Sequence, residues 1–502
     1  MSVVLDGSAL SIEEVVAVAI DNAPVVVGDG LVEQMQPAMD LVARVIADDA
    51  TVYGITTGFG ALANTRIPTE RASEMQVDLL RSHACGVGPL LERSVVRAML
   101  ICRARTLAQG HSGVRPAIVE RLVDFLNLDI IPAVPSQGSV GASGDLAPFA
   151  HLMLPLIGEG EVLSDDGTVR PAADVLAGFG LAPLTLGPKE GLSLLNGTEG
   201  MLAHGCLAVH RALNLVDADD AACALSVEAL MGSSRPFEAR IHELRPHPGQ
   251  IESARNIAAM LEGSQIDASH HDDFSHKVQD AYSLRCAPQV HGAVRDTIAY
   301  ASQVFTTELG AVVDNPIVFA EDAEVVSGGN FHGQPLAFAL DYLAIAVTEL
   351  GSISERRTDR LLDPDRSSGL TPFLANDPGV ESGYMLTQYT AAAIVAENRV
   401  LAHPASVESI PTSGLQEDHV SMGFGAARKL DQVLTNTARV VAVELMCAAQ
   451  GVEQREYQPA PGTAAVRDAV RSVCEPLTQD RPPGPDIENI ARLIEDGAFS
   501  AR

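Results

Sequence analysis

The chain has 502 residues, of which 65 are acidic and 34 basic, so its formal net charge is −31. A surface this acidic repels the phosphates of nucleic acids and of anionic membranes, which argues against both as partners. With 46% hydrophobic and 20% charged residues, the composition is that of a globular protein too long to be a small binding module.

The cysteines and the N-terminus indicate where the protein works. Seven cysteines are scattered along the chain without a C-x-x-C pair, which predicts neither a disulfide framework nor a zinc ribbon. Residues 1–10 carry no basic segment before an apolar stretch, and no uncharged apolar window of about 18 residues is apparent. We therefore expect a soluble, cytoplasmic protein with no metal and no membrane partner.

Helix signals begin close to the N-terminus. Ser11 is followed three residues later by Glu14, the pattern of a reciprocal capping box, and an apolar run comes next. Between residues 91 and 109 apolar side chains recur at helical spacing, and Gly110 supplies a stop. These patterns predict two helices, of which the second is amphipathic.

The rest of the chain is predicted to be mainly α. Four segments rich in Ala, Leu and Val are too apolar to present a wet face and are expected to be buried helices: 206–231, 336–350, 386–401 and 433–449. Glycine and proline concentrate in expected loops, at 54–60, 132–148, 183–197, 246–249 and 328–335. Short β-branched runs at 129–134 and 323–326 predict small strands.

These elements predict a long-helix bundle with a smaller, mixed N-terminal region that carries the active-site loops. We place the N-terminal region at residues 1–200 and the central helical bundle at residues 201–502. No long linker separates the two regions, so we expect them to behave as one cooperative unit.

Small residues crowd around Ser143 in the segment 138–148. If the backbone turns tightly there, the amide nitrogen of Gly144 can attack the carbonyl carbon of Ala142, because glycine has no side chain to block the approach. Loss of one water from the ring and one from Ser143 then leaves an exocyclic double bond. The product is 4-methylidene-imidazol-5-one, an electrophile made by the chain itself; a simple turn into a helix near Leu146 is the alternative.

This segment resembles the signature of the aromatic amino acid ammonia-lyases and aminomutases, with Phe149 standing where leucine is more usual. Further segments resemble other motifs of that family in the expected order, and the resemblance spans about residues 53–451. They are the mobile tyrosine loop at 53–60, an asparagine motif at 194–198, a substrate-anchoring segment at 279–286, and the segments 314–316 and 329–333. The resemblance implies that no external cofactor is needed.

Eliminating ammonia from an amino acid requires an electrophile for the amine and a base for the β-proton. The resemblance implies that Ala142, Ser143 and Gly144 form the electrophile and that Tyr53 is the base, on a loop whose glycines allow opening and closing. Arg285 would clamp the substrate carboxylate. The remaining implied contacts to the ring, the substrate or the base come from Asn196, Gln279, Tyr282 and Phe331.

Two positions bear on the choice of substrate. Ser82-His83 and the segment 416–423, which contains Glu417, both look like the members of the family that act on histidine. A carboxylate and an imidazole can satisfy the two ring nitrogens of histidine, whereas a phenyl ring would leave the carboxylate without a partner. Gly414-Leu415 replaces the more usual Ala-Asn.

The resemblance therefore implies conversion of L-histidine to trans-urocanate and ammonia, the first step of histidine degradation, by a homotetramer with shared active sites and a possible part for Glu417 in proton transfer. Alternatives are a phenylalanine or tyrosine ammonia-lyase, an aminomutase of the same family, and a non-catalytic oligomeric scaffold. The polar cluster 269–276 has metal-ligand residue types, but its spacing fits a loop better.

Overall fold

The computed structural model of the chain describes residues 2–62, 64–164, 166–270 and 278–500. The chain forms two compact units. The first comprises Met1–Leu207, Ser302–Asp341 and Pro404–Arg428, and the second comprises Ala208–Ala301, Tyr342–His403 and Lys429–Arg502. The boundary at residue 200 and the single cooperative unit stay predictions. Most of the polar cluster 269–276 lies outside the described residues.

In its described residues, the first unit combines helices with four small sheets. Its helices are α1 Ile12–Ala19, α2 Leu31–Ala47, α3 Ala72–His83, α4 Arg93–Ala108, α5 Pro116–Asn127, α6 Leu146–Met153, α7 Ala172–Gly178 and α8 Glu190–Leu195. Its strands are β1 Val3–Leu5, β2 Val25–Val27, β3 Val87–Leu90, β4 Ile131–Pro132, β5 Pro135–Gln137, β6 Glu161–Leu163, β7 Val169–Pro171, β8 Ile317–Phe319 and β9 Glu324–Val326. β1 and β2 pair in parallel, whereas β3–β5, β4–β6–β7 and β8–β9 are antiparallel.

From residue 199 onward the described chain is dominated by helices. They are α9 Glu199–Ala229, α10 Ala239–Glu243, α11 Pro248–Leu261, α12 Gln265–Ala268, α13 Tyr282–Arg285, α14 Ala287–Glu308, α15 Gln334–Leu362, α16 Met385–Leu401, α17 Gly423–Glu453, α18 Pro461–Arg471 and α19 Gly484–Glu495. The mainly α prediction is confirmed, and each of the four apolar segments lies largely or wholly within a helix. The capping box at Ser11 and Glu14 and the two small strands are also confirmed.

The long helices of the second unit bury charged side chains as well as apolar ones. Within the second unit, His291 lies between Asp219 at 2.9 Å and Asp220 at 2.7 Å. Arg357 donates to Glu444 at 2.6 Å, and none of these side chains is exposed. Because every charge has a partner of opposite sign, polar residues can occupy positions that are completely buried.

Two predictions about single segments are wrong. Helix α4 is not amphipathic, because every residue from Val95 to Ala108 is buried. Arg97, Arg103 and Arg105 of this helix are buried with partners; Arg97, for example, donates to the carbonyls of Val18 and Leu126. The segment 183–197 is not all loop either, because Glu190–Leu195 form the short helix α8.

Helix α15 is long and apolar enough to cross a membrane by length and composition alone. However, 61% of its apolar window is buried inside the protein, which is how a core helix behaves. The sequence had already predicted 336–350, within this helix, to be buried.

Candidate functional site

A cavity of about 520 Å³ lies in the first unit and brings together several of the candidate residues. Five segments build it: the loop after α2, helix α3, the turn before α6, helix α8 with Asn196, and the hairpin 412–417. The candidates that line it are Tyr53, His83, Ser143, Asn196 and Glu417.

The loop that carries Tyr53 is held in place by buried contacts of the residues that follow it. Ile55 is buried in a hydrophobic cluster with residues of α2 and with Val318. The hydroxyl of Thr56 donates to the carbonyl of Ala50 at 2.6 Å, and the amide of Gly54 donates to the hydroxyl of Thr57 at 3.2 Å. The loop is therefore held at its buried side.

The phenol of Tyr53 has a donor of its own on the same loop. The amide N–H of Gly60 donates to the Oη of Tyr53 at 3.3 Å. This contact fixes the position of the phenol oxygen inside the cavity.

The Ala142-Ser143-Gly144 segment forms a tight turn. Both Ser143 and Gly144 have left-handed backbone conformations, with φ of 51° and 83°. A side chain at position 144 would overlap the carbonyl oxygen of Gly197, with which this residue forms a parallel bridge. Only glycine therefore fits at position 144.

Hydrogen bonds hold this turn from two sides. The amide of Asp145 donates to the carbonyl of Gly197 at 2.9 Å, and the amide of Gly197 donates to the carbonyl of Ser143 at 3.2 Å. The carboxylate of Asp145 accepts from the amide of Met201 and from the hydroxyl of Ser139. Burial raises the pKa of Asp145 to about 7 against these two hydrogen bonds, so this carboxyl can exchange a proton beside the turn near neutral pH.

Asn196 is placed by a buried ion pair. Its side-chain amide donates to the carbonyl of Asn315 at 2.7 Å. The main-chain carbonyl of Asn196 accepts a hydrogen bond from Arg103 at 2.6 Å. Arg103 is in turn paired with Glu199 at 2.8 Å, and the side chains of Arg103 and Glu199 are at most 1% exposed. The guanidinium also lies over the ring of Phe149 at 4.5 Å, which gives the family-atypical phenylalanine a packing role.

His83 is the last residue of α3 and is half-buried. Its Nδ1 lies 2.9 Å from the carbonyl oxygen of Leu79, and since a carbonyl can only accept, Nδ1 carries the proton. Burial lowers the pKa of His83, although the Leu79 carbonyl and the Glu417 carboxylate act in the opposite direction. The neutral ring therefore keeps Nε2 as an acceptor.

Glu417 lies at one end of a short hairpin and pairs with Thr412 at the other end. The amide of Thr412 donates to the carbonyl of Glu417 at 2.9 Å, and the amide of Glu417 donates back at 3.3 Å. The hydroxyl of Thr412 donates to the carboxylate of Glu417 at 2.8 Å. One threonine thus fixes both the backbone and the carboxylate of this residue.

The remaining candidates are not among the described residues that line the cavity. Gln279, Tyr282 and Arg285 belong to the second unit, where the guanidinium of Arg285 lies over the ring of Tyr282 at 4.5 Å. Gln279 and Tyr282 are exposed. Phe331 lies in the first unit and is half-buried.

Sequence reasoning missed the apolar wall of the cavity and the polar residues Asp78 and Ser413. On α3, Met75 and Leu79 lie four residues apart on the face that ends at His83, a periodicity that could have been found. Leu192 and Leu195 of α8 form another part of the wall, and Ser413 lies on the hairpin beside Glu417.

The chain matches the family model for aromatic amino acid lyases over residues 10–472. The chain belongs to the aromatic amino acid lyase family. Relatives include the histidine ammonia-lyase of Gloeobacter violaceus, 52% identical over 98% of this chain and 96% of the relative, and that of Streptomyces griseus, 49% identical over 100% and 98%.

Solved structures of the family are similar over nearly the whole chain. The histidine ammonia-lyase of Trypanosoma cruzi has a TM-score of 0.91 at 42% identity and covers 99% of this chain and 94% of its own. The tyrosine aminomutase of Streptomyces globisporus has a TM-score of 0.94 at 41% identity and covers 99% and 98%. The fold of these lyases thus extends to members with different reactions, and the substrate must be argued from the cavity.

Proposed function

We propose that this enzyme eliminates ammonia from L-histidine and releases trans-urocanate. The observation that carries the proposal is that His83 and Glu417 line the same cavity as Tyr53 and Ser143. Relatives that are about half identical over nearly their full length are named histidine ammonia-lyases. We place this reaction at the start of histidine degradation, in the cytoplasm.

Recognition of the substrate's imidazole depends on which ring nitrogen of the neutral His83 carries the proton. Its Nδ1–H is committed to the Leu79 carbonyl, so its Nε2 accepts a hydrogen bond from one ring nitrogen of the substrate. The carboxylate of Glu417, held by Thr412, takes the other ring nitrogen. A phenyl or phenol ring would leave one or both acceptors unpaired in a half-buried site.

The turn at Ala142, Ser143 and Gly144 fits the self-derived 4-methylidene-imidazol-5-one ring, because no Cβ can be accommodated at position 144. Once formed, the ring supplies an electrophile for the substrate amine. No external cofactor is required. Tyr53, whose phenol oxygen is positioned by the Gly60 amide, removes the β-proton, while the Glu417 carboxylate can also share in proton transfer.

We propose that Arg285 clamps the substrate carboxylate and that the sites are shared between subunits of a homotetramer. Gln279 and Tyr282 contact the substrate or the ring, and Asn196 and Phe331 complete the pocket. An exposed apolar groove in the second unit supports assembly: α14 and α15 form a cavity of about 700 Å³ there, lined by Tyr300, Tyr342 and Ile345, each more than 40% exposed.

Product identification tests the reaction. Purified protein is incubated separately with L-histidine, L-phenylalanine and L-tyrosine, and products are identified by mass. Urocanate from histidine alone supports the proposal, and cinnamate or coumarate would refute the assignment of His83 and Glu417. A β-amino acid would favour the aminomutase alternative, for which the similarity to tyrosine aminomutase is the specific observation.

Ser143→Ala tests the electrophile. The variant should retain the mass of two waters that the parent loses, and should lose turnover. Ser368→Ala is the matched control, because Ser368 also has a left-handed backbone, with φ of 58°, but lies in the second unit. Full turnover by Ser143→Ala would contradict the electrophile, and no turnover by a parent that has lost no water would favour the scaffold alternative.

A mixing experiment tests the shared sites. Tyr53→Phe and Arg285→Met are each expected to be inactive alone. If one subunit supplies Tyr53 and another supplies Arg285, refolding the two variants together restores part of the activity, because some mixed sites contain both native residues. Sedimentation of the parent as a monomer, or mixed protein no more active than its parts, would contradict sharing.

A further inference from the structure

Ser413 lines the cavity but takes no part in the proposed chemistry. Its hydroxyl oxygen accepts a hydrogen bond from the amide N–H of Ala61 at 3.2 Å. The preceding amide, that of Gly60, donates to the Oη of Tyr53 at 3.3 Å. Two successive amides of one turn therefore bind the base and the hairpin that carries Glu417.

The approach between the two segments is close. Gly60 has a left-handed backbone with φ of 53°, and a side chain at this position would overlap the hydroxyl of Ser413. The turn 60–62 packs directly on the turn 413–415. The contact is therefore specific for a glycine on one side and a small hydroxyl on the other.

The hairpin turn is itself strained. Ser413, Gly414 and Leu415 have φ of 49°, 60° and 71°, three consecutive left-handed residues of which only one is glycine. Leu415 is 72% exposed, so its side chain gains little packing in return. Strain of this kind persists where the surrounding contacts hold it, and here those contacts are the Thr412–Glu417 bridge and the hydrogen bond from Ala61 to Ser413.

We propose that Ser413 is a positioning residue that latches the Tyr53 loop onto the Glu417 hairpin, so that the base is held in place by the element that recognises the substrate side chain. This proposal rests on the proposed function. It predicts that a ligand bound at Glu417 also orders the turn 60–62, because the Ser413 hydroxyl connects the two segments.

Two substitutions at the same position separate the hydroxyl from the backbone. Ser413→Ala removes the hydroxyl and keeps the left-handed strain, whereas Ser413→Gly removes both. We expect both to lower kcat about tenfold, the effect of losing one hydrogen bond that positions the base, while KM changes less than threefold. Leu415→Asn, which relieves strain at an exposed position, is the control and should keep the parental kcat.

Hydrogen exchange supplies a readout that does not depend on turnover. Adding trans-urocanate to the parent and to Leu415→Asn should slow exchange of peptides covering residues 58–62, and should have a much smaller effect in both Ser413 variants. Parental kcat in Ser413→Gly, or equal protection of these peptides in Ser413→Ala, would overturn the latch. If Ser413→Ala exchanges faster here while the parent does not deaminate histidine, the latch stands and the proposed function fails.

Discussion

Replacing Arg103 with methionine removes the guanidinium that binds the main-chain carbonyls of Ser193 and Asn196, while keeping a long side chain. Arg103 is fully buried and donates to Glu199 at 2.8 Å, to the carbonyl of Asn196 at 2.6 Å and to that of Ser193 at 3.3 Å. Its loss leaves the Glu199 carboxylate buried without its cation and removes donors from two carbonyls. Breaking a buried pair from one side costs about 3–5 kcal/mol, and we expect a loss of this size in the free energy of unfolding.

The double variant Arg103→Met with Glu199→Gln tests whether the lost free energy of unfolding comes from the unpaired carboxylate. It leaves no uncompensated charge, so it should be more stable than Arg103→Met alone, with a coupling energy between the two positions of at least about 2 kcal/mol. Stability is measured by urea unfolding at equal subunit concentrations and pH 8, followed by far-ultraviolet circular dichroism because the chain has no tryptophan.

Ring formation is measured on the same proteins by intact mass. The carbonyls that Arg103 binds precede Gly197, whose backbone is hydrogen-bonded to Ser143 and Asp145, so under the proposed ring formation Arg103→Met should contain less of the form that has lost two waters. A coupling energy below about 0.5 kcal/mol, or complete ring formation in the single variant, would refute this reasoning.

Three further results are expected. Burial opposes protonation of His291, but Asp219 and Asp220 outweigh it and raise its pKa; the resulting stabilisation is complete below about pH 6.5 and is lost as the pH rises through the folded-state pKa. The difference in urea midpoint between the parent and His291→Gln should therefore decrease as the pH is raised from about 6 to about 9. A difference that does not change with pH would contradict the assignment. His83→Leu should lower kcat/KM for histidine about 100-fold and reduce discrimination against phenylalanine, measured with both substrates; unchanged discrimination would exclude His83 from recognition. Calorimetry should give one transition for the assembled parent, and two separate transitions would show that the chain is not one cooperative unit.

The fold was predictable where local patterns decide it. The capping box at Ser11 and the apolar segment 386–401 gave the ends of their helices to within a few residues, because caps and apolar periodicity are local. Helix α4 was misjudged because its arginines find buried partners that are distant along the chain, as Arg103 does at Glu199. No local pattern reports such pairing.

The candidate site was predictable in its residue types and not in its geometry. Motif resemblance selected Tyr53, Ser143 and Glu417, which line one cavity. The contacts that support them, such as the pairing of Gly144 with Gly197 or the hydrogen bond from Ala61 to Ser413, join distant segments and depend on the tertiary fold. That Arg285 is not among the described residues lining this cavity could not be read from sequence for the same reason.

The contact between Gly144 and Gly197 has a consequence for laboratory evolution. A methyl group at position 144 would overlap the backbone of Gly197, and one at position 197 would overlap Glu199 and Arg103. Because the obstacles are a main-chain segment and a buried ion pair, no single compensating substitution creates room. Libraries aimed at new substrates should therefore leave both glycines unchanged and vary the wall formed by Met75, Leu192 and Leu195, where side chains meet open space.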